Sequence, residues 1–141
     1  MRFELDLEIN APPEEVFERL TDVARLPEWQ ISATGVDVDG PVREGTQFRE
    51  TRRFLGREFG TKMQVAAYDP PRRFDLESLE APLPLNVSHV LEEADGRTRL
   101  HVTAEAKVSG LKRFAAAAGA KSAEAEFRRD FERLKEQIEQ E

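Results

Sequence analysis

The chain has no cysteine among its 141 residues, so neither a disulfide framework nor a thiolate metal site can form. Histidine is nearly as scarce: only His89 and His101 occur, and the strand reading below puts them on opposite faces. No metal site is expected from them. Long apolar runs are missing, and none approaches membrane-spanning length. Met1-Arg2 leads straight into a patterned strand in place of a signal peptide, so the expectation is a soluble, cytoplasmic domain without integral membrane association. A basic stripe is absent as well. Net charge is −7, charged residues make up 35% of the chain, and both signs are mixed along it. The basic stretches Arg49 to Arg57 and Arg72-Arg73 are interleaved with acids or strand residues and read as solvated sheet faces. Nucleic acid is not an expected partner. No glycine loop is built to cradle phosphate, and nothing calls for a cofactor. With no low-complexity linker and no repeat, residues 1–141 read as one domain large enough to enclose a core.

Proline is also absent from Leu111 to Glu141, which reads as a helix of about seven or eight turns. One face carries Ala116, Ala120, Ala123, Phe127, Phe131, Leu134 and Ile138 at helical spacing. The stripe is alanine in its first half and Phe, Leu and Ile in its second. A helix laid on a sheet fills the space beneath it with its own side chains, and methyl groups leave space over. The first half therefore reads as a roof over a cavity and the second as a clamp. Everything before residue 110 supplies the walls.

Phe3, Leu5, Leu7 and Ile9 alternate with acids as a half-buried strand. Asn10-Ala11-Pro12-Pro13 ends it and opens a short helix whose buried side is Val16, Phe17 and Leu20. Asp22 is placed to cap a second short helix reaching Leu26 and broken at Pro27. Trp29 follows, then a strand over about Ser32 to Asp39. From Thr46 to Lys107 the pattern predicts five strands, with turns at Leu55-Gly56, Asp69-Pro70-Pro71-Arg72, Ala81-Pro82 and Asp95-Gly96.

Those turns set a register. Phe54 against Arg57 puts Phe48 opposite Met63 and Glu50 opposite Thr61. Tyr68 against Arg73 puts Val65 opposite Leu76 and Met63 opposite Ser78. Ala94 against Arg97 sets His89 against Val102 and Leu91 against Leu100. Apolar meets apolar throughout. The inward face then reads in rows. One holds Phe48, Met63, Ser78, Leu85 and Ala106; the next holds Val65, Leu76, Val87 and Ala104; a third holds Ala67, Phe74, His89 and Val102. A polar row of Glu50, Thr61 and Glu80 lies at the other end. Counting rise per residue puts Ala116 to Ala123 over the polar and Phe48 rows, and Phe127 and Phe131 over the His89 row and the one beyond. Room for a ligand is expected at the Glu50–Glu80 end.

The order strand, two short helices, six strands, long helix resembles the helix-grip fold: α+β, a seven-stranded curved antiparallel sheet around a C-terminal helix. The residues carrying the match are Ile9-Asn10-Ala11-Pro12, Val16-Phe17, Leu20 with Asp22, Trp29, Glu44-Gly45-Thr46, Asp69 to Phe74, Asp95 to Leu100 and Leu134-Lys135. The chain resembles the polyketide cyclase/dehydrase and lipid-transport family of the START-like, plant-allergen-like superfamily. These motifs mark turns and helix starts and carry no catalytic signature. The resemblance implies a deep cavity for an apolar or aromatic small molecule, in binding proteins or in aromatase/cyclases. Fold alone does not choose between them.

Glu50 is the first candidate for chemistry, with Thr61 opposite and Glu80 a strand further on. A carboxylate beside an apolar cavity has its charged form disfavoured, which suits a general acid or base. The plainer reading is a wet mouth where Glu50 and Glu80 pair with Arg52 or Arg57. His89, between Val87 and Leu91, is either a satisfied core residue or a ligand contact; its use as a proton carrier is the further alternative. Trp29 lines the cavity or plugs the core. Phe54 and Phe114 gate the mouth or form a dimer contact, which leaves monomer and homodimer both open. Ser78 has no base in its row, so nucleophilic catalysis is unsupported. The expected cavity wall is Trp29, Phe48, Glu50, Thr61, Met63, Ser78, Glu80, Leu85, His89, Ala106, Ala116 and Ala120. Cyclising a poly-keto chain needs several convergent donors, and this wall has few. A binding protein for a hydrophobic small molecule (lipid, polyketide or other aromatic) is therefore the favoured reading. A polyketide cyclase/dehydratase using Glu50 or His89 is the alternative, and an interaction module with a collapsed cavity is the third.

Overall fold

Alternation of apolar and acidic residues produces β1 (Arg2–Ile9), which buries Leu5 and Ile9. The computed structural model describes residues 1–54, 56–107 and 112–141, and side chains for 1–53, 56–107 and 121–141. Helix α1 (Pro13–Thr21) starts on a proline and carries Glu14 and Glu15 in its first turn, where the helix dipole favours negative charge. It buries Val16, Phe17 and Leu20. The second short helix is 3-10 in type and runs Val23–Glu28, so Pro27 lies inside it and does not end it at Leu26. Asp22 stands at its start, but only the backbone carbonyl is used, accepting from the Arg25 amide at 3.0 Å; the expected side-chain cap is not made.

Six strands follow: β2 (Ala33–Val38), β3 (Gln47–Phe54), β4 (Arg57–Asp69), β5 (Arg73–Glu80), β6 (Leu85–Ala94) and β7 (Arg97–Ala106). Helix α2 (Lys112–Gln140) closes the described chain. The seven strands form one antiparallel sheet in the order β1-β7-β6-β5-β4-β3-β2. This is the helix-grip arrangement. The β6–β7 hairpin turns through Asp95 and Gly96, with φ of 54° and 76°, the double left-handed turn that matches strand twist.

Most of the expected register holds: Phe48 pairs with Met63, Glu50 with Thr61, Val65 with Leu76, and His89 with Val102. Two departures occur on β4–β5, and each has the same cause. Between Val65 and Ala67 the register shifts, so Tyr68 pairs with Phe74, and Asp69 takes Arg73. An extra residue in a strand reverses which side chains face inward beyond it. Tyr68 thus turns toward the core, its ring 5.4 Å from Phe17 and 6.4 Å from Phe74, in the place expected of Ala67. At the other end Lys62 pairs with Glu80 while Met63 pairs with Ser78, which leaves Leu79 as the extra residue. Glu80 is thereby exposed and drops out of the inward polar row.

The C-terminal half of α2 seats Phe131, Leu134 and Ile138 in the core. Phe131 lies 5.8 Å from the His89 ring, and Phe127 lies 6.0 Å from Phe3, on the row before. The helix therefore sits about one turn nearer the Glu50 end than a residue count suggests. A count cannot supply the length taken up by a connecting segment. No described helix is long and apolar enough to cross a membrane.

Candidate functional site

Period-two alternation along β3 turns Phe48, Glu50 and Arg52 to the concave face. Glu50 is only 3% exposed, and its Oε2 accepts a hydrogen bond from Arg52 Nε at 2.6 Å and lies 2.5 Å from Nη2 in the ion pair. The plain reading holds for the partner and not for the open water: the Glu50 end of the pair is buried, and the Arg52 side chain is 24% exposed. Arg52 is held further by Ser32, whose Oγ accepts from Nη1 at 2.9 Å, and by Gln30, whose Oε1 accepts from Nη2 at 2.5 Å. Sequence reasoning missed Gln30 and Ser32, which reach Arg52 across the start of β2. Arg52 was legible as a partner, because it shares a face with Glu50 two residues away.

Gln30 and Ser32 belong to a segment fastened to α2. Arg133 donates to the Trp29 carbonyl at 2.8 Å and to Asp130 at 3.2 Å, and Asp130 also accepts from the Ile31 amide at 3.3 Å. Burial pushes the Asp130 carboxyl above its ordinary range, against the amide and guanidinium that pull it down.

Across the strand pair from Glu50 stands Thr61, which is 9% exposed. Its hydroxyl has no hydrogen-bond partner among the described residues. Paired residues on one sheet face hold their Cβ atoms about 5 Å apart, so Thr61 and Glu50 are immediate neighbours. Beside them run Phe48 and Met63, both buried, then Ser78, Leu85 and Ala106, all half-buried. Ser78 is held in place by the Leu85 amide, from which its Oγ accepts at 2.8 Å. From Phe127 over Phe3, one helical turn back brings Ala123 over this row, because about 6 Å of helix matches two strand residues. The side chains of Ala116, Ala120, Phe54 and Phe114 lie outside the described residues.

The other two candidates lie apart from this group. Trp29 is 1% exposed and meets Phe131 edge-on at 5.0 Å; its indole N–H has no partner among the described residues. His89 is 3% exposed, stacked on Phe74 at 5.6 Å, and its Nδ1 donates to the Phe74 carbonyl at 2.7 Å. Thr61 and Tyr68 lie roughly 20 Å apart along β4, so Glu50 and His89 do not converge on one reacting atom. His101 points to the convex side, where Nδ1 meets Asp6 at 2.7 Å. Open grooves on that convex face are lined by charged strand residues such as Asp6, Glu8, Arg99 and His101.

Burial lowers the His89 imidazole from its ordinary value to about 4, against the Phe74 carbonyl and Asp75, which favour the charged form. The folded protein keeps this ring neutral where the unfolded chain, with a pKa near 6.5, takes up a proton. Its contribution is therefore complete above about pH 6.5 and is lost as pH falls toward 4, by about 3 kcal/mol. Urea denaturation at pH 7 and pH 4.5 is expected to show most of this loss in the wild type. A His89→Gln variant should lose correspondingly less stability over the same interval.

A family model described as polyketide cyclase / dehydrase and lipid transport matches residues 1–139. No curated protein matches the sequence significantly. Solved structures that share the fold include TTHA0849 from Thermus thermophilus, at 16% identity over 98% of this chain and 97% of that one, with a TM-score of 0.83. The ZhuI aromatase/cyclase from Streptomyces sp. R1128 matches at 16% identity over 99% and 93%, with a TM-score of 0.78. Ara h 8.0201 matches at 16% identity over 100% and 99%, with a TM-score of 0.72. At such identities the likeness is one of fold.

Proposed function

Because the chain belongs to the polyketide cyclase/dehydrase and lipid-transport family, we propose that it binds a hydrophobic small molecule between α2 and the concave sheet face. One observation carries this reading: Thr61, more than nine-tenths buried, keeps an unpartnered hydroxyl among the described residues, beside the buried apolar pair Phe48 and Met63; a helical count from Phe127 sets the small residue Ala123 over that row. A buried hydroxyl left unpaired costs free energy, and a ligand would supply its missing bond. Binding is favoured over catalysis by how few polar groups the wall leaves uncommitted. Glu80 is exposed, Ser78 is engaged by Leu85, and His89 is tied to Phe74. Glu50 and Thr61 are too few to fold and protonate a poly-keto chain.

Native mass spectrometry of the purified protein is expected to reveal a co-purified apolar molecule. A titration with an environment-sensitive apolar dye tests the location. Ala123→Phe should weaken dye binding at least about tenfold while leaving the melting temperature near the wild-type value, because on this reading the ring takes the space of the ligand. If the helix is instead packed tightly there, the larger side chain overpacks the core and costs about 1–3 kcal/mol. A fall in melting temperature with no wild-type dye binding to lose overturns the reading.

A further inference from the structure

Resting on that binding reading, we propose that the polar end of the site selects a neutral hydroxyl group, an alcohol or phenol, over an anionic or cationic head group. Three observations converge on this class. The first is the Thr61 hydroxyl, which is buried and unpartnered among the described residues and stands directly across the strand pair from Glu50. A hydroxyl of this kind both donates and accepts, so it is matched best by another group that does both.

The second is the state of Arg52. All three of its side-chain nitrogens are engaged: Nε donates to Glu50, Nη1 to Ser32, and Nη2 to Gln30 while also lying in ion-pair contact with Glu50. An incoming carboxylate or phosphate would find that guanidinium already neutralised and would lie against the charge of Glu50. Repulsion between like charges in a buried setting is far stronger than in water. An ammonium fares little better, since Glu50 already has its counter-charge and the ligand would lose its hydration without gaining a free partner.

The third is the geometry of the ion pair. The Arg52 Nε hydrogen bond and the closest ion-pair contact both fall on Oε2, which leaves Oε1 without a hydrogen bond from Arg52. A ligand O–H can give its hydrogen to this carboxylate and accept one from Thr61, which an aldehyde, ketone or ether cannot do. The apolar body of the ligand would then lie along Phe48, Met63 and Leu85.

A set of four probes on one ring system tests this at pH 7: 2-naphthol, 2-naphthoate, 2-naphthylmethylammonium and 2-methylnaphthalene, each titrated calorimetrically. The naphthol should bind about tenfold or more tightly than each of the other three, the size expected of one or two well-placed hydrogen bonds. Thr61→Val keeps the shape of the side chain and removes a buried unpaired hydroxyl. It should melt at or above the wild-type temperature, shrink the naphthol advantage several-fold, and leave 2-methylnaphthalene affinity unchanged within about twofold. Should the valine variant fail to fold, Thr61→Ser, which keeps the hydroxyl, must retain the naphthol preference. Equal or tighter binding of naphthoate or the ammonium overturns the head-group inference and leaves the binding reading standing. So does a naphthol advantage that survives Thr61→Val intact. Failure of all four probes to bind overturns both.

Discussion

Arg52→Met is expected to destabilise the protein by about 3–5 kcal/mol, because it leaves the buried Glu50 carboxylate without its counter-charge. Glu50 is 3% exposed and its one ion-pair partner among the described residues is Arg52, so the change removes its counter-charge and its hydrogen bond together. The same change frees Gln30 and Ser32, which hold the segment leading into β2. For a domain of this size, the loss corresponds to a fall in melting temperature on the order of 10 °C. The double variant Glu50→Leu with Arg52→Met decides the cause. An apolar pair in place of a buried ion pair is commonly neutral or stabilising, so the double variant should recover most of what the single one loses. A double variant as unstable as Arg52→Met would mean that the cost came from packing or from the freed Gln30 and Ser32, and not from an uncompensated charge.

Phe131→Ala should cost about 3–5 kcal/mol, through lost burial and the cavity left behind. Phe131 is 2% exposed and sits at the centre of an aromatic group, 5.0 Å from Trp29, 5.1 Å from Phe127 and 5.8 Å from His89. It is the side chain that presses α2 onto both the sheet and the segment after the 3-10 helix. Phe127→Ala makes the useful comparison, because Phe127 is only half-buried, and a smaller loss is expected there. Urea denaturation followed by Trp29 fluorescence reads both. Equal losses would mean that the clamp is shared evenly along the helix.

The fold was legible in the sequence because its signals are local. Period-two alternation set the face of every strand residue until an extra residue intervened, and Asp95-Gly96 dictated a hairpin by its own backbone preferences. These two signals were enough to put Glu50 beside Thr61 and to turn His89 inward and His101 outward.

What the sequence could not supply depended on parts of the chain meeting at a distance. Tyr68 turns inward because Phe17 and Phe74 are there to receive its ring, and the bulge that allows it leaves no mark in an alternating pattern of Val65, Ala66 and Ala67. Glu80 faces outward because Leu79 is the extra residue on β5, a choice settled by how β4 and β5 pair over their whole length. The seat of α2 over Phe3 and His89 follows from packing against two elements at once. The enclosure of Arg52 by Glu50, Ser32 and Gln30 is of the same kind. One side chain from β3 and two from the segment before β2 converge on one guanidinium, and only tertiary structure brings them within bonding distance.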